Sequence, residues 1–170
     1  MRKLGLIWIC ALTMTTAPAF GVKSGEQFKQ WSAQCVSDEE RDEEGGAEAC
    51  HIFQELVVEQ DGENKKAVRM SVGYAPGEDT PVTVIRLPLG LWLTNGIVLT
   101  VDEGEGQQFP VQVCAPAGCQ TTLRLQPDMV ETLKSGQQLI ITTFNTRQQP
   151  VQIPIDLRGF SAALKALKQN

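Results

Sequence analysis

The chain has 170 residues, of which 42% are hydrophobic and 21% charged, enough for one domain that buries a core of its own. Its formal charge of −5 argues against a nucleic-acid partner, because phosphate binding needs clustered Lys and Arg. The same acidity speaks against a polybasic attachment to a membrane surface.

Met1-Arg2-Lys3 carries the only charges of the first nineteen residues, and Leu4 to Thr16 is apolar apart from a few hydroxyls. The run then reaches Ala17-Pro18-Ala19. A basic start, a short apolar stretch and a small-x-small ending predict a secretory signal peptide over residues 1–19, cut after Ala19. The stretch is short for a bilayer span, and no second run of spanning length follows, so a soluble mature domain is expected over residues 20–170. Cys10 belongs to the discarded segment, since its Ile-Cys context is poor for lipid attachment. Loss of Arg2 and Lys3 takes the charge from −5 to −7.

Phe28 to Cys35 reads as a first strand with Phe28, Trp31 and Ala33 facing inward. Val36 to Ala49 is different: seven acids surround Gly45-Gly46, which predicts a solvated loop pinned by Cys35 and Cys50. A calcium site there is disfavoured, because the Asp-x-Asp-x-Asp-Gly order is missing. Cys50 to Glu59 and Lys66 to Tyr74 predict a hairpin about Asp61-Gly62, with Val68, Met70, Val72 and Tyr74 on one face. Pro76-Gly77 and Thr80-Pro81 precede a strand over Val82 to Leu87. Pro88 to Leu93 is too broken by Pro88 and Gly90 to be a regular strand. Asn95-Gly96 turns the chain into Ile97 to Val101, and an acidic, glycine-rich turn follows to Gly106. Further strands are predicted over Phe109 to Ala115, Gln120 to Leu125, Gln138 to Asn145 and Pro150 to Asp156. A short helix lies between Pro127 and Gly136, with Met129, Val130 and Leu133 on one face and Gly136 as its C-terminal cap. A C-terminal helix over Gly159 to Lys168 carries Phe160, Ala163, Leu164 and Leu167 at helical spacing and is expected to pack on the sheet.

Nine or ten short strands with two helical pieces predict a mostly β, single-domain sandwich or barrel-like fold. The four cysteines after the leader, Cys35, Cys50, Cys114 and Cys119, form an even set that reads as two disulfides in an oxidising compartment. Three pairings are open, and proximity favours Cys35 with Cys50 and Cys114 with Cys119. A four-thiolate zinc site is the rival, with a spacing barely suited to it.

Catalytic groups are sparse. The one histidine, His51, adjoins Cys50 and reads as an ordinary strand residue; no nucleophile elbow and no His-Glu-x-x-His helix occurs. A carboxylate pair has no fixed spacing and stays open as an enzyme reading. Neither cofactor nor metal is expected. The segment with most to say about binding is Pro88 to Gly96, where Leu89, Leu91, Trp92 and Leu93 crowd into a broken stretch. The favoured role for it is to fold over one end of the sandwich and close the core; the alternative is an exposed interaction patch.

Taken in order, Trp31 before Cys35, then Cys50, Arg86-Leu87-Pro88-Leu89-Gly90, Gly96-Ile97-x-Leu99-x-Val101-Asp102, Gly118-Cys119 and Leu157-Arg158-Gly159-Phe160 resemble the invasion-associated locus B (IalB) family of bacteria. The resemblance covers nearly the whole mature chain. It implies an exported protein of the cell envelope, associated in the family's named members with entry into host cells, and no enzymatic activity; an envelope role unrelated to infection is the alternative. With the catalytic groups missing, the leading expectation is a protein of the periplasm or envelope, or one released from it, that acts through protein contacts in host-cell invasion. The reading from another class is a periplasmic small-ligand or metal-binding module. The acidic loop between Cys35 and Cys50 looks particular to this chain.

Overall fold

In a computed structural model, the described residues are 21–36, 49–60 and 63–168. The expected leader and the acidic loop lie outside them. Eleven strands and two α-helices follow in the order β1 (Gln27–Phe28), β2 (Trp31–Val36), β3 (Ala49–Gln60), β4 (Glu63–Tyr74), β5 (Pro81–Leu87), β6 (Ile97–Val101), β7 (Gln107–Phe109), β8 (Val113–Ala115), β9 (Gly118–Arg124), α1 (Pro127–Ser135), β10 (Gln138–Phe144), β11 (Pro150–Asp156) and α2 (Phe160–Leu167).

The strands form a seven-stranded sheet ordered β1-β2-β3-β4-β5-β9-β8 and a four-stranded sheet ordered β11-β10-β6-β7, every pairing antiparallel. Neither closes into a barrel, so of the two expected architectures the open sandwich is the one adopted. Period-two alternation gives each sheet one apolar face. Ile52, Val68, Met70, Val72, Ile85 and Leu123 of the larger sheet share one core with Ile97, Leu99, Leu139, Ile141 and Ile155 of the smaller.

The apolar stripe of α2 behaves as its spacing predicts: Phe160, Ala163, Leu164 and Leu167 are all buried, and the helix packs on β1 to β4 and on α1. The Phe160 ring lies 5.1 Å from that of Trp31. The Trp31 indole N–H donates to the Asp156 carbonyl at 2.9 Å. Beside it the Gln54 amide grips the same residue twice, donating to the Asp156 carbonyl and accepting from its N–H, each at 2.9 Å. Gln54 stands on β3 and Asp156 ends β11, so one side chain acts as a two-bond rung between the sheets.

Both disulfides pair as proximity favours. Cys35 and Cys50 are register partners of β2 and β3, and Cys114 and Cys119 of β8 and β9, so each bridge clamps adjacent antiparallel strands.

Two local expectations are corrected. The first strand is two, because Lys29 takes a φ of +59° and turns the chain between Phe28 and Trp31. The run from Phe109 to Ala115 is also two strands, and they belong to different sheets: β7 pairs with β6, and β8 pairs with β9. Pro110 has no N–H to give to a ladder, so a strand ends there and the chain crosses over. The Thr121 hydroxyl holds the crossing by donating to the Pro110 carbonyl at 3.1 Å. Gly136 caps α1 as expected, in an extended conformation. Space is what requires glycine there, since a Cβ would stand 2.4 Å from Val101 Cγ1.

Candidate functional site

The loop from β5 to β6 spans residues 88–96 and is tied at both ends. Pro88 follows the last residue of β5, and Gly90 reverses direction with a φ of +89°. Leu91 forms a bridge with Asn145, and the Trp92 N–H donates to the Phe144 carbonyl at 2.8 Å, fixing the loop to the end of β10. A single 3₁₀ turn over Leu93–Asn95 closes on Gly96, whose φ is +59° and whose Cβ, if it had one, would meet the Phe109 carbonyl oxygen at 2.1 Å. The backbone is thereby held in place.

Those side chains point largely to water. Leu89 is 56% exposed, Leu93 50% and Trp92 38%, while Leu91 is partly buried against the core. The expectation that this segment closes the core therefore holds for Leu91 alone. Full burial of a large apolar side chain is worth about 1.5–3 kcal/mol, of which Leu89, Trp92 and Leu93, about half exposed, forgo roughly half each, so a tethered loop displaying three of them is not what folding alone favours.

Beside the loop runs a groove of about 440 Å³ between the two sheets. Leu56 and Val68 line it from the larger sheet, Leu89 and Leu91 from the loop, and Val151 and Ile153 from β11. Val151 is itself 42% exposed, which continues the apolar surface beyond the loop. Among the described residues no ionisable side chain lines this groove, and its wall is mostly apolar.

Its one unusual polar group is Thr143. Three threonines are buried: the Thr83 hydroxyl donates to the Ser71 carbonyl and that of Thr121 to the Pro110 carbonyl. The hydroxyl of Thr143, 2% exposed at the groove wall, has no partner among the described residues. Leaving such a group unpaired costs about 1–3 kcal/mol.

Sequence reasoning reached the loop and missed the rest of the groove. Thr143 had a signal, since it follows Leu139 and Ile141 on the inward face of β10; Val151 and Ile153 had none, because only the sheet pairing brings β11 beside the loop. The four cysteines are all spent in disulfides. Among the described residues no group of three His, Cys, Asp or Glu is placed to hold a metal ion, and no helix is long and apolar enough to cross a membrane.

Known proteins of similar sequence and shape point one way. The family model for the invasion associated locus B (IalB) protein matches residues 31–168. An invasion protein B homolog of Brucella abortus strain 2308 is 29% identical over 174 aligned positions, covering 98% of this chain and 95% of that protein. Invasion protein B of Bartonella bacilliformis is 28% identical, covering 91% of this chain and 80% of that one. The crystal structure of invasion associated protein B from Bartonella henselae superposes with a TM-score of 0.70 at 24% identity, over 84% of this chain and 94% of that one, which shows a common fold.

Proposed function

The chain belongs to the invasion associated locus B family, and from that membership and the exposed patch we propose that it is an exported, non-enzymatic envelope protein. It works through protein contacts made by Leu89, Leu91, Trp92 and Leu93, and it contributes to invasion of host cells. Two disulfides fit an oxidising compartment such as the periplasm. The single observation that supports the contact surface most is a loop tethered at both ends that nevertheless leaves Leu89, Trp92 and Leu93 in water. A large ring and two leucines on a fixed backbone suit an interface core, where such anchors provide most of the binding energy.

The test is a Trp92→Ser, Leu93→Ser double variant expressed in the native bacterium. It should keep its disulfides and its melting behaviour, lose photo-crosslinks made from position 89, and invade host cells as poorly as a deletion strain. Normal invasion and an unaltered envelope in the deletion strain would refute the proposal.

The unpartnered Thr143 hydroxyl supports a second reading, a small apolar ligand in the groove whose one polar group meets that hydroxyl. Native mass spectrometry of protein purified from its own host checks it, because a mass equal to the bare oxidised chain argues against a retained ligand.

A further inference from the structure

The outer face of the seven-stranded sheet, opposite the face that lines the groove, carries two arginines side by side. Arg69 on β4 and Arg86 on β5 are direct cross-strand partners. Like charges so placed repel. The chain has 20 acids, and Arg124 on the same face pairs with Glu78. Arg86, by contrast, has no hydrogen bond or ion pair among the described residues. It also opens the Arg-Leu-Pro-Leu-Gly stretch, of which Leu87 serves the core while Arg86 points to solvent.

Arg69 is fixed rather than free. Its guanidinium lies 3.8 Å from the centre of the Phe53 ring, its Nε–H donates to the Ser71 hydroxyl at 3.3 Å, and Nη2 reaches Gln34 Oε1 at 2.8 Å and His51 Nε2 at 3.3 Å. Nη1 makes no hydrogen bond among the described residues, and the guanidinium is a positioned fork of the kind that recognises oxyanions. Arginine only donates, so the His51 Nε2 contact requires the lone-pair nitrogen and a neutral ring. Burial first, then Arg69 and Arg86, lower the His51 pKa accordingly. Gly73, opposite His51 in the register, leaves a dent in which a Cβ would stand 3.2 Å from that of His51. Around it opens a shallow cleft of about 540 Å³ with Val82 and Val84 in its wall.

We propose that this face binds a small organic acid, its oxyanion taken by Arg69 and Arg86 and its apolar body laid over Gly73, Val82 and Val84. A bound anion would offset the arginine repulsion and favour the protonated ring of His51. The other charged or titratable groups of this face are Glu55 on β3, which is the register partner of Arg69 on the side away from Arg86, Tyr74 at the end of the cleft, and the Glu78–Arg124 pair. The site does not depend on the protein-contact reading above.

His51 is the only histidine, so its ring proton reports the site in a one-dimensional NMR titration. The oxidised protein is titrated with sodium benzoate, with inorganic phosphate and with sodium chloride at matched ionic strength. Benzoate should shift the His51 resonance saturably and raise its titration midpoint, with phosphate weaker and chloride without effect. Arg86→Gln, a surface change that leaves the circular dichroism melt intact, should weaken benzoate about tenfold, and Arg86→Lys should fall between. Equal responses to chloride, or undiminished binding by Arg86→Gln, would overturn the site. Phosphate binding as tightly as benzoate would overturn the organic-acid assignment.

Discussion

Gly159 has a φ of +96°, and a Cβ at that position would sit 2.0 Å from the Phe28 carbonyl oxygen. Gly90 has a similar φ of +89° but open space around it. The pair separates two reasons for glycine. Gly90→Ala should cost about 1–2 kcal/mol, the penalty of a left-handed backbone alone. Gly159→Ala should cost at least about 3 kcal/mol, because Phe28 must also move and the Trp31–Phe160 contact next to it is disturbed. Urea unfolding of both variants checks this, and equal losses would refute the steric part. His51 makes a second prediction at this scale. Its pKa is lowered by burial and then by Arg69 and Arg86, so the unfolded chain takes up a proton before the folded one does. The wild type should therefore lose stability relative to His51→Gln as pH falls below about 6.5, and regain it as pH rises through that value. Denaturation midpoints at a series of pH values would show it, and a difference independent of pH would contradict the burial.

At the scale of elements, the two disulfides clamp strand pairs of unequal reach. Cys35 and Cys50 are 15 residues apart in sequence, Cys114 and Cys119 only 5. Loop-closure entropy then gives about 3 kcal/mol for the first and about 2 kcal/mol for the second. Replacing each pair by alanines should show that order in urea, and a larger loss from the shorter loop would mean that packing of the buried Cys119 outweighs chain entropy. Spacing alone suggested these pairings, and the strand register realises them, because each cysteine lies directly across from its partner. The crossover at Pro110 was less legible. Phe109 to Ala115 alternates like one strand, and nothing in that run shows that Phe109 pairs with Ile97 while Val113 pairs with Gln120. Pairing depends on distant strands, whereas alternation is local.

Across the whole molecule, the sheets are joined by a shared core and by the Gln54 rung to Asp156. Gln54→Ala deletes both bonds and strands the Asp156 N–H, which should cost about 2 kcal/mol, and Gln54→Glu, which keeps the acceptor but sets a carboxylate oxygen against the Asp156 carbonyl, should cost at least as much. Thermal unfolding of the two variants distinguishes a tether from mere bulk, since bulk alone would make glutamate the milder change. The two faces of this sandwich are also unlike. An apolar loop and groove lie at the gap between the sheets, and a basic cleft lies on the outer side of the larger one. Mutations in one should leave the other's binding unchanged, since no residue is common to the two linings.

The sequence by itself determined what depends on local periodicity and order. The inward faces of β4 and α2, the mostly β class and the family all follow from patterns within a few residues, or from motifs in series, while the cysteine spacing favoured one of three pairings that the strand register then settled. Only the tertiary structure decided what depends on juxtaposition. It exposed Leu89, Trp92 and Leu93 although their hydrophobicity suggested a core lid, brought β11 alongside them, and set Arg86 against Arg69 in adjacent strands. Burial and charge pairing are properties of neighbours in space, and those neighbours come from strands whose register no single stretch of sequence encodes.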